Sequence, residues 1–284
     1  MITIGRFAPT PSGPLHEGSL QTATASWLSA RRQQGLWLLR IDDLDAARCP
    51  PGASTHILQQ LDAYGLHWDG QPHYQSQHLA AYRAARRQLE HADLIYTCDC
   101  TRAQRQGRLK GAPAAYDQHC WRHPHPPTRA PALRLILDDA ALHWHDQRHG
   151  AQRPSRNSLG DPVIWRADNV PGYALACAVD EGQMRITEVV RGEDLLTETA
   201  PQVYISRVLG QALPQYRHLP LVMDAAGRKM SKQNHAAPLA DDPAGRSSTL
   251  ARALERLGYG LPDMLRGASP EQLLDWALRQ TPHG

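Results

Sequence analysis

The stretch Arg6–Leu20, RFAPTPSGPLHEGSL, constrains the fold of this chain more than any other. Pro9, Pro11 and Pro14 with Gly13 exclude a helix over Ala8–Pro14. Thr3–Phe7 ahead of them reads as a short strand and Glu17 onward as a helix, so the order is strand, turn, helix. Such a junction aims free backbone N–H groups and the positive end of a helix dipole at one spot, which suits a phosphate. His16 stands where the helix begins and can donate to a phosphate oxygen, while Gly18 lets a flat ring approach the backbone. Alone, the same pattern also describes a Pro-rich turn before a surface helix, so its meaning depends on the rest of the chain.

The helix expected over Gly18–Gln34 sets Leu20, Ala23, Trp27, Leu28 and the stem of Arg31 on one face, with Thr24 beside them and Gly35 as a left-handed stop. Leu36–Asp42 is the apolar run of a buried parallel strand, so Thr3–Asp42 forms one βαβ unit whose site lies at the strand ends, where Asp42, Asp43 and Asp45 crowd together. Helices are expected over Gly52–Tyr64, ended by Gly65, and over Gln77–Ala92, with Ser76 as N-cap. Leu94–Cys98 reads as a strand. Thr101–Pro131, rich in Arg, His, Pro and Gly with little apolar periodicity, is an excursion from the sheet. Strands are then expected at Leu133–Leu137, Val163–Trp165, Tyr173–Val179 and Met184–Val190. A helix over Thr197–Leu209 with Thr197 as cap and a strand at His218–Met223 follow. Helices close the chain at Ser247–Leu257, ended by Gly258, and after the capping box Ser269-Pro270-Glu271-Gln272.

A length of 284 residues can bury a sizeable core. Lys and Arg number 31 against 28 Asp and Glu, so net charge alone marks no nucleic-acid binder, though locally clustered arginines can still form a patch. No apolar run of about 20 residues and no signal-peptide pattern occurs, and a monomeric cytoplasmic protein with no membrane partner is expected. Three of the five cysteines fall within Cys98–Cys120, which in a reducing compartment favours a metal over a disulfide. Cys98, Cys100 and Cys120 with one more ligand make a common structural zinc set, and on donor chemistry His119 or His123 suits the fourth place.

A second stretch, Gly227-Arg228-Lys229-Met230-Ser231-Lys232-Gln233, puts cations with hydroxyl and amide groups on a loop after an apolar run. Paired with His16-Glu17-Gly18-Ser19, its Lys229-Met230-Ser231-Lys232-Gln233 resembles the two nucleotide-binding signatures of class I aminoacyl-tRNA synthetases. RFAPTPSGPLHEGSL, RIDDLD, YGLHWDG, EVVRGEDLL and KMSKQNH, in that order, resemble the glutamyl-tRNA synthetase lineage, and within it a short branch without the helical domain that reads the anticodon. The resemblance implies a Rossmann-type parallel α/β fold: residues 1–97 as its first half, 98–183 as an inserted subdomain with a zinc site, 184–240 as its second half with the lysine loop, and 241–284 as C-terminal helices. It also implies a ligase that activates L-glutamate with ATP and Mg2+ and passes it to queuosine in the anticodon loop of tRNA(Asp). His16, Lys229 and Lys232 would be catalytic, with His16, Gly18 and Lys232 on ATP. Arg6, Phe7, Ala8, Pro9, Thr10, Asp42, Tyr173 and Arg191 would hold glutamate, with Asp42 one methylene shorter than the Glu usual there. Tyr116 would be the fourth zinc ligand beside Cys98, Cys100 and Cys120. A small synthetase charging a tRNA 3′ end and a non-catalytic tRNA-binding paralogue are the alternatives.

Overall fold

β1 (Ile4–Phe7) and β2 (Leu36–Ile41) pair in parallel, Ile4 opposite Leu36 through Phe7 opposite Leu39. Their crossover is α1 (Glu17–Arg32), which buries Leu20, Ala23, Thr24, Trp27 and Leu28 as its periodicity predicts. The structure is a computed structural model and describes residues 2–109, 116–223 and 237–281. Gly35 is needed for a reason other than the expected left-handed stop. A Cβ there would lie 2.2 Å from the Thr3 carbonyl oxygen, because Leu36 donates to that oxygen at 2.9 Å. The left-handed residue is Gln34, at φ 52°.

Two compact units divide the chain: residues 1–74, 186–194 and 216–284 form one, residues 75–185 and 195–215 the other. In the first, α2 (Ala53–Ala63) leads to β3 (His73–Tyr74), which is parallel to β2. Thr187 N–H donates to Ile4 O and Arg6 to Val190 O, so a further strand, residues 188–192, runs beside β1 in the same direction. Leu28, Trp37, Leu39, Ile57 and Leu61 join Leu250, Leu254 and Leu273 of the C-terminal helices in one buried core, each large aliphatic contributing about 1.5–3 kcal/mol.

The second unit opens with α3 (Leu79–His91) and a three-stranded antiparallel sheet in the order β4 (Ile95–Cys98), β5 (Ala132–Leu135), β8 (Val163–Trp165). Between β4 and β5 lie α4 (Arg102–Leu109) and α5 (His119–Arg122). A hairpin of β6 (Trp144–Asp146) and β7 (Gly150–Gln152) and the short α6 (Arg156–Leu159) precede β8. Then come α7 (Tyr173–Gln183) and α8 (Leu196–Val208). The strand beside β1 is β9 (Glu188–Gly192), and β10 (Gln215–Leu219) is its neighbour. α9 (Pro243–Arg256) and α10 (Pro270–Leu278) complete the described elements, α10 opening on the predicted capping box.

Several expectations are corrected. Tyr173–Val179 is the start of a helix, not a strand. Its run is rich in Ala174, Ala176 and Ala178, which favour helix, and it stays buried on all sides through Glu181, so no face alternates. The N-caps are not the expected Ser76 and Thr197 but His78 and Leu195, neither with a side-chain cap bond. The strand expected at His218–Met223 ends at Leu219, where Pro220 has no N–H to continue a ladder. Among the described residues no helix is long and apolar enough to cross a membrane.

Candidate active site and metal cluster

In the first unit the expected substrate residues gather at the C-terminal ends of β1, β2 and β9, where open parallel α/β sheets bind ligands. Arg6 and Arg191 are buried, and Arg6 Nη1 donates to Val190 O at 3.3 Å, next to Arg191 in sequence. Arg191 donates through Nε to Nε2 of fully buried His218 at 3.1 Å, and its guanidinium lies 5.6 Å from the Tyr216 ring centre. The turn after β1 folds over β2: Asp42 N–H donates to Pro9 O at 3.0 Å, and Thr10 O accepts from Ser12. Phe7 stacks on Trp37 within the core, so only its backbone faces the turn that carries Ala8. Asp42 is gripped by Arg40 through two bonds, of 2.7 and 3.2 Å, in a pair that is almost wholly buried. A buried carboxylate needs such a partner, and the pair sets the direction in which Asp42 presents its charge. Tyr173 belongs to the second unit, on the first turn of α7 and 40% exposed.

His16 is the N-cap of α1. Its Nδ1 accepts from Ser19 N–H at 3.3 Å and its Nε2 lies 3.2 Å from Ser19 Oγ. With Nδ1 accepting, the neutral ring carries its proton on Nε2. Leu15, the residue before, is pinned twice: its N–H donates to Gln60 and its carbonyl accepts from Leu239 N–H at 3.0 Å. Upstream of the lysine stretch, Pro220 O accepts from Gln21 on α1 at 3.3 Å. Both flanks of that stretch are thus tied to the start of α1 beside His16. Lys229 and Lys232 themselves lie outside the described residues, and Gly18 sits in the first turn of α1.

The same helix start carries a contact that the spacing did not announce. Glu17 forms ion pairs of 2.6 Å with both Arg252 and Arg256 of α9. Burial works against its charged form, but the bonds from the two arginines outweigh it and hold the carboxyl below its usual range. A depressed folded value means stability that is present above the unfolded carboxyl value, near 4.3, and lost as pH falls through the folded one. Both arginines are over one-third exposed, so Arg252→Gln with Arg256→Gln is expected to cost only about 1 kcal/mol at pH 7. Denaturant titrations should show that gap closing below about pH 4; a gap independent of pH would mean the arginines act by packing alone.

In the second unit the sulfur atoms of Cys98, Cys100 and Cys120 all lie within 4.8 Å of one another. Tyr116 Oη is 3.4 Å from Cys98 Sγ and 3.7 Å from Cys100 Sγ, and it accepts from Cys120 N–H at 2.9 Å. A tetrahedral zinc with bonds of about 2.0–2.3 Å holds its donors about 3.3–3.8 Å apart, so the donor set fits that ion. The rings of His119 and His123 instead lie 5.1 Å apart, tilted by 48°, and neither residue belongs to a metal-ligating cluster among the described residues. Two guanidiniums flank the sulfurs: Arg108 Nη2 is 3.4 Å from Cys100 Sγ, and Arg134 lies 3.7 Å from the centre of the Tyr116 ring. Burial pushes the Cys120 thiol up to about 11. At Cys98 burial acts in the same sense, but hydrogen bonding to Tyr116 and Arg134 outweighs it and holds the thiol below its ordinary value.

His218, Arg40, Arg108 and Arg134 are the residues near these sites that the sequence reading passed over. Arg40 had a signal, a polar side chain inside a run read as a buried strand, and His218 opened a run read as a strand. Arg108 and Arg134 had none beyond composition.

The comparisons with known proteins agree with this geometry. Residues 3–265 match the catalytic domain of class I tRNA synthetases (E and Q), and the chain belongs to that family. It is 46% identical over 277 residues to the glutamyl-Q tRNA(Asp) synthetase of Thiobacillus denitrificans, covering 96% of this chain and 91% of that one. To the protein of the same name from Vibrio cholerae it is 42% identical, covering 97% and 89%. In fold it is similar to the crystal structure of a glutamate tRNA ligase from Elizabethkingia meningosepticum in complex with its amino acid, with a TM-score of 0.77 at 23% identity; the match covers 96% of this chain and 64% of the ligase.

Proposed function

We propose that this protein activates L-glutamate with ATP in the absence of RNA and then esterifies queuosine in the anticodon of tRNA(Asp). The observation that carries the reading is the bracketing of the lysine stretch: Pro220 and Leu239, on its two sides, are both bonded to the start of α1, where His16 stands. The residues on both sides of the lysine stretch are thereby tied to a helix N-terminus, a setting that favours phosphate. The name shared by the relatives of 42–46% identity supports glutamate and the acceptor.

In the first step a carboxylate oxygen of glutamate attacks the α-phosphorus of ATP, the bond to the bridging oxygen breaks, and pyrophosphate leaves with Mg2+. Nε2–H of His16 donates to a phosphate oxygen while Nδ1 keeps the helix cap; Gly18 admits the nucleotide, and Lys229 and Lys232 offset the charge of the departing pyrophosphate. Arg6 and Arg191 hold carboxylate oxygens, Asp42 faces the ammonium, and the backbone from Phe7 to Thr10 lines the turn. Positioning and charge neutralisation thus carry the catalysis. In the second step a queuosine hydroxyl oxygen attacks the acyl carbon, its proton passes to solvent, and AMP leaves. Zinc held by Cys98, Cys100, Cys120 and Tyr116 supplies structure only.

Two measurements test this. Pyrophosphate exchange should require glutamate and proceed without tRNA. Glutamate should be transferred to tRNA(Asp) lacking its terminal adenosine and not to tRNA(Asp) lacking queuosine. The opposite pattern would make this a synthetase that charges the 3′ end.

A further inference from the structure

The segment Asp99–Pro131 contains six Lys and Arg against two Asp, an excess larger than the +3 of the whole chain. Both acids are engaged within the segment. Asp117 is held by two bonds from Arg108, and Asp99 accepts from Thr128 twice and pairs with His125. In this basic segment stands Trp121, in α5 and 42% exposed. Its indole is held by a chain of fixed groups. The Arg156 guanidinium lies 4.5 Å from the ring centre. Two bonds of 2.7 Å tie Arg156 to Asp161, whose carboxylate is fully buried and also receives Tyr96 Oη at 3.0 Å.

An exposed tryptophan usually serves either an apolar interface or a stacking contact. The neighbours of Trp121 on its turn are His119, Arg122 and His123, which make no apolar rim of the kind a protein partner would need. Bases stack on aromatic side chains without regard to sequence, and a guanidinium on a ring adds a cation–π contribution. A ring already fixed by Arg156 loses little rotamer freedom when a base lands on it.

We infer that Trp121 is a platform on which one unpaired base of the acceptor RNA stacks, while Arg122, on the same turn, meets a neighbouring phosphate. The inference rests on the reading that the protein acts on tRNA, and its test is separable from that reading. Binding of tRNA(Asp) without ATP or glutamate would be followed by fluorescence anisotropy for Trp121→Ala, Trp121→Phe, Trp121→Leu and Arg122→Gln, with zinc content and RNA-free pyrophosphate exchange measured on each. One stacked base corresponds to about a ten- to hundredfold change in affinity. Trp121→Ala and Trp121→Leu should lose that factor and Trp121→Phe should keep most of the affinity. All should exchange pyrophosphate as the parent does. The dependence of log Kd on log salt should be unchanged in the Trp121 variants, which remove no charge, and shallower by about one phosphate contact in Arg122→Gln. Parental affinity in Trp121→Ala, or in Trp121→Leu should the alanine variant lose its zinc, would overturn the platform; equal losses in Trp121→Phe and Trp121→Leu would too, since the aromatic ring would then be irrelevant. Absence of glutamate-dependent exchange in the parent would instead sink the proposed activity and leave the RNA comparison readable.

Discussion

Arg191→Ala is expected to lower kcat/KM for glutamate in pyrophosphate exchange by about two to three orders of magnitude, the scale of losing one preorganised charge contact in an enclosed site, with the KM for ATP little changed. Arg191 is buried at the end of β9, and its Nε is already spent on His218. That bond fixes the plane of the guanidinium, and a guanidinium held in plane is a fork suited to a carboxylate. Arg191→Lys should recover little, because one ammonium cannot both hold His218 and present two parallel donors. His218→Gln, which keeps an acceptor for Nε–H, should cost about tenfold or less, since it disturbs the orientation of the fork without removing it. Near-normal exchange by the alanine variant would take Arg191 out of the glutamate site.

The parts of the fold legible in the sequence were those where a local rule meets no competitor. α1 has one apolar face and a proline-bounded start, and the opening of α10 follows its capping box. The reading failed where burial is complete. The run from Ala174 to Glu181 is buried on every side, so neither period of two nor period of 3.6 was visible, and length and alanine content were the only arbiters. In Thr101–Pro131, an excursion from the sheet with little apolar periodicity, the elements themselves were not visible. There Thr101 and Gln104 form a reciprocal pair of side-chain to backbone bonds that opens α4, a signal written in polar residues. Within the candidate site, single residues near the signatures were legible, but their partners were not. Glu17 meets Arg252 and Arg256 more than 230 positions away, and Arg191 meets His218 across a whole helix of the other unit in sequence. Such pairings follow from topology, which spacing alone does not encode.

Protein purified without added metal is expected to carry about one zinc per chain, and Cys120→Ser to carry almost none. Tyr116 Oη at 3.4 and 3.7 Å from two sulfurs, with Cys100 Sγ 3.3 Å from Cys120 Sγ, matches the donor separations of a tetrahedral zinc, and among the described residues the hydrophobic cluster here is Cys98, Tyr116 and Cys120 with Tyr96 and Cys100 against them. So small a cluster cannot by itself order a polar excursion, whereas structural zinc contributes about 10–16 kcal/mol of apparent binding free energy at pH 7. Arg108 and Arg134 favour the site further, because a zinc with three thiolates keeps a negative charge that the two guanidiniums face. Removal of zinc by a strong chelator should therefore loosen residues 98–131, read as rapid proteolysis or amide exchange confined to that segment, while the core around α1, which shares no residue with the cluster, keeps its protection. Tyr116→Phe should weaken zinc binding about 10- to 100-fold or more, and His119→Ala and His123→Ala should leave it unchanged. Elemental analysis after graded chelation decides: a Tyr116→Phe protein that holds its zinc like the parent, beside a histidine variant that loses it, would place the fourth ligand on the histidine.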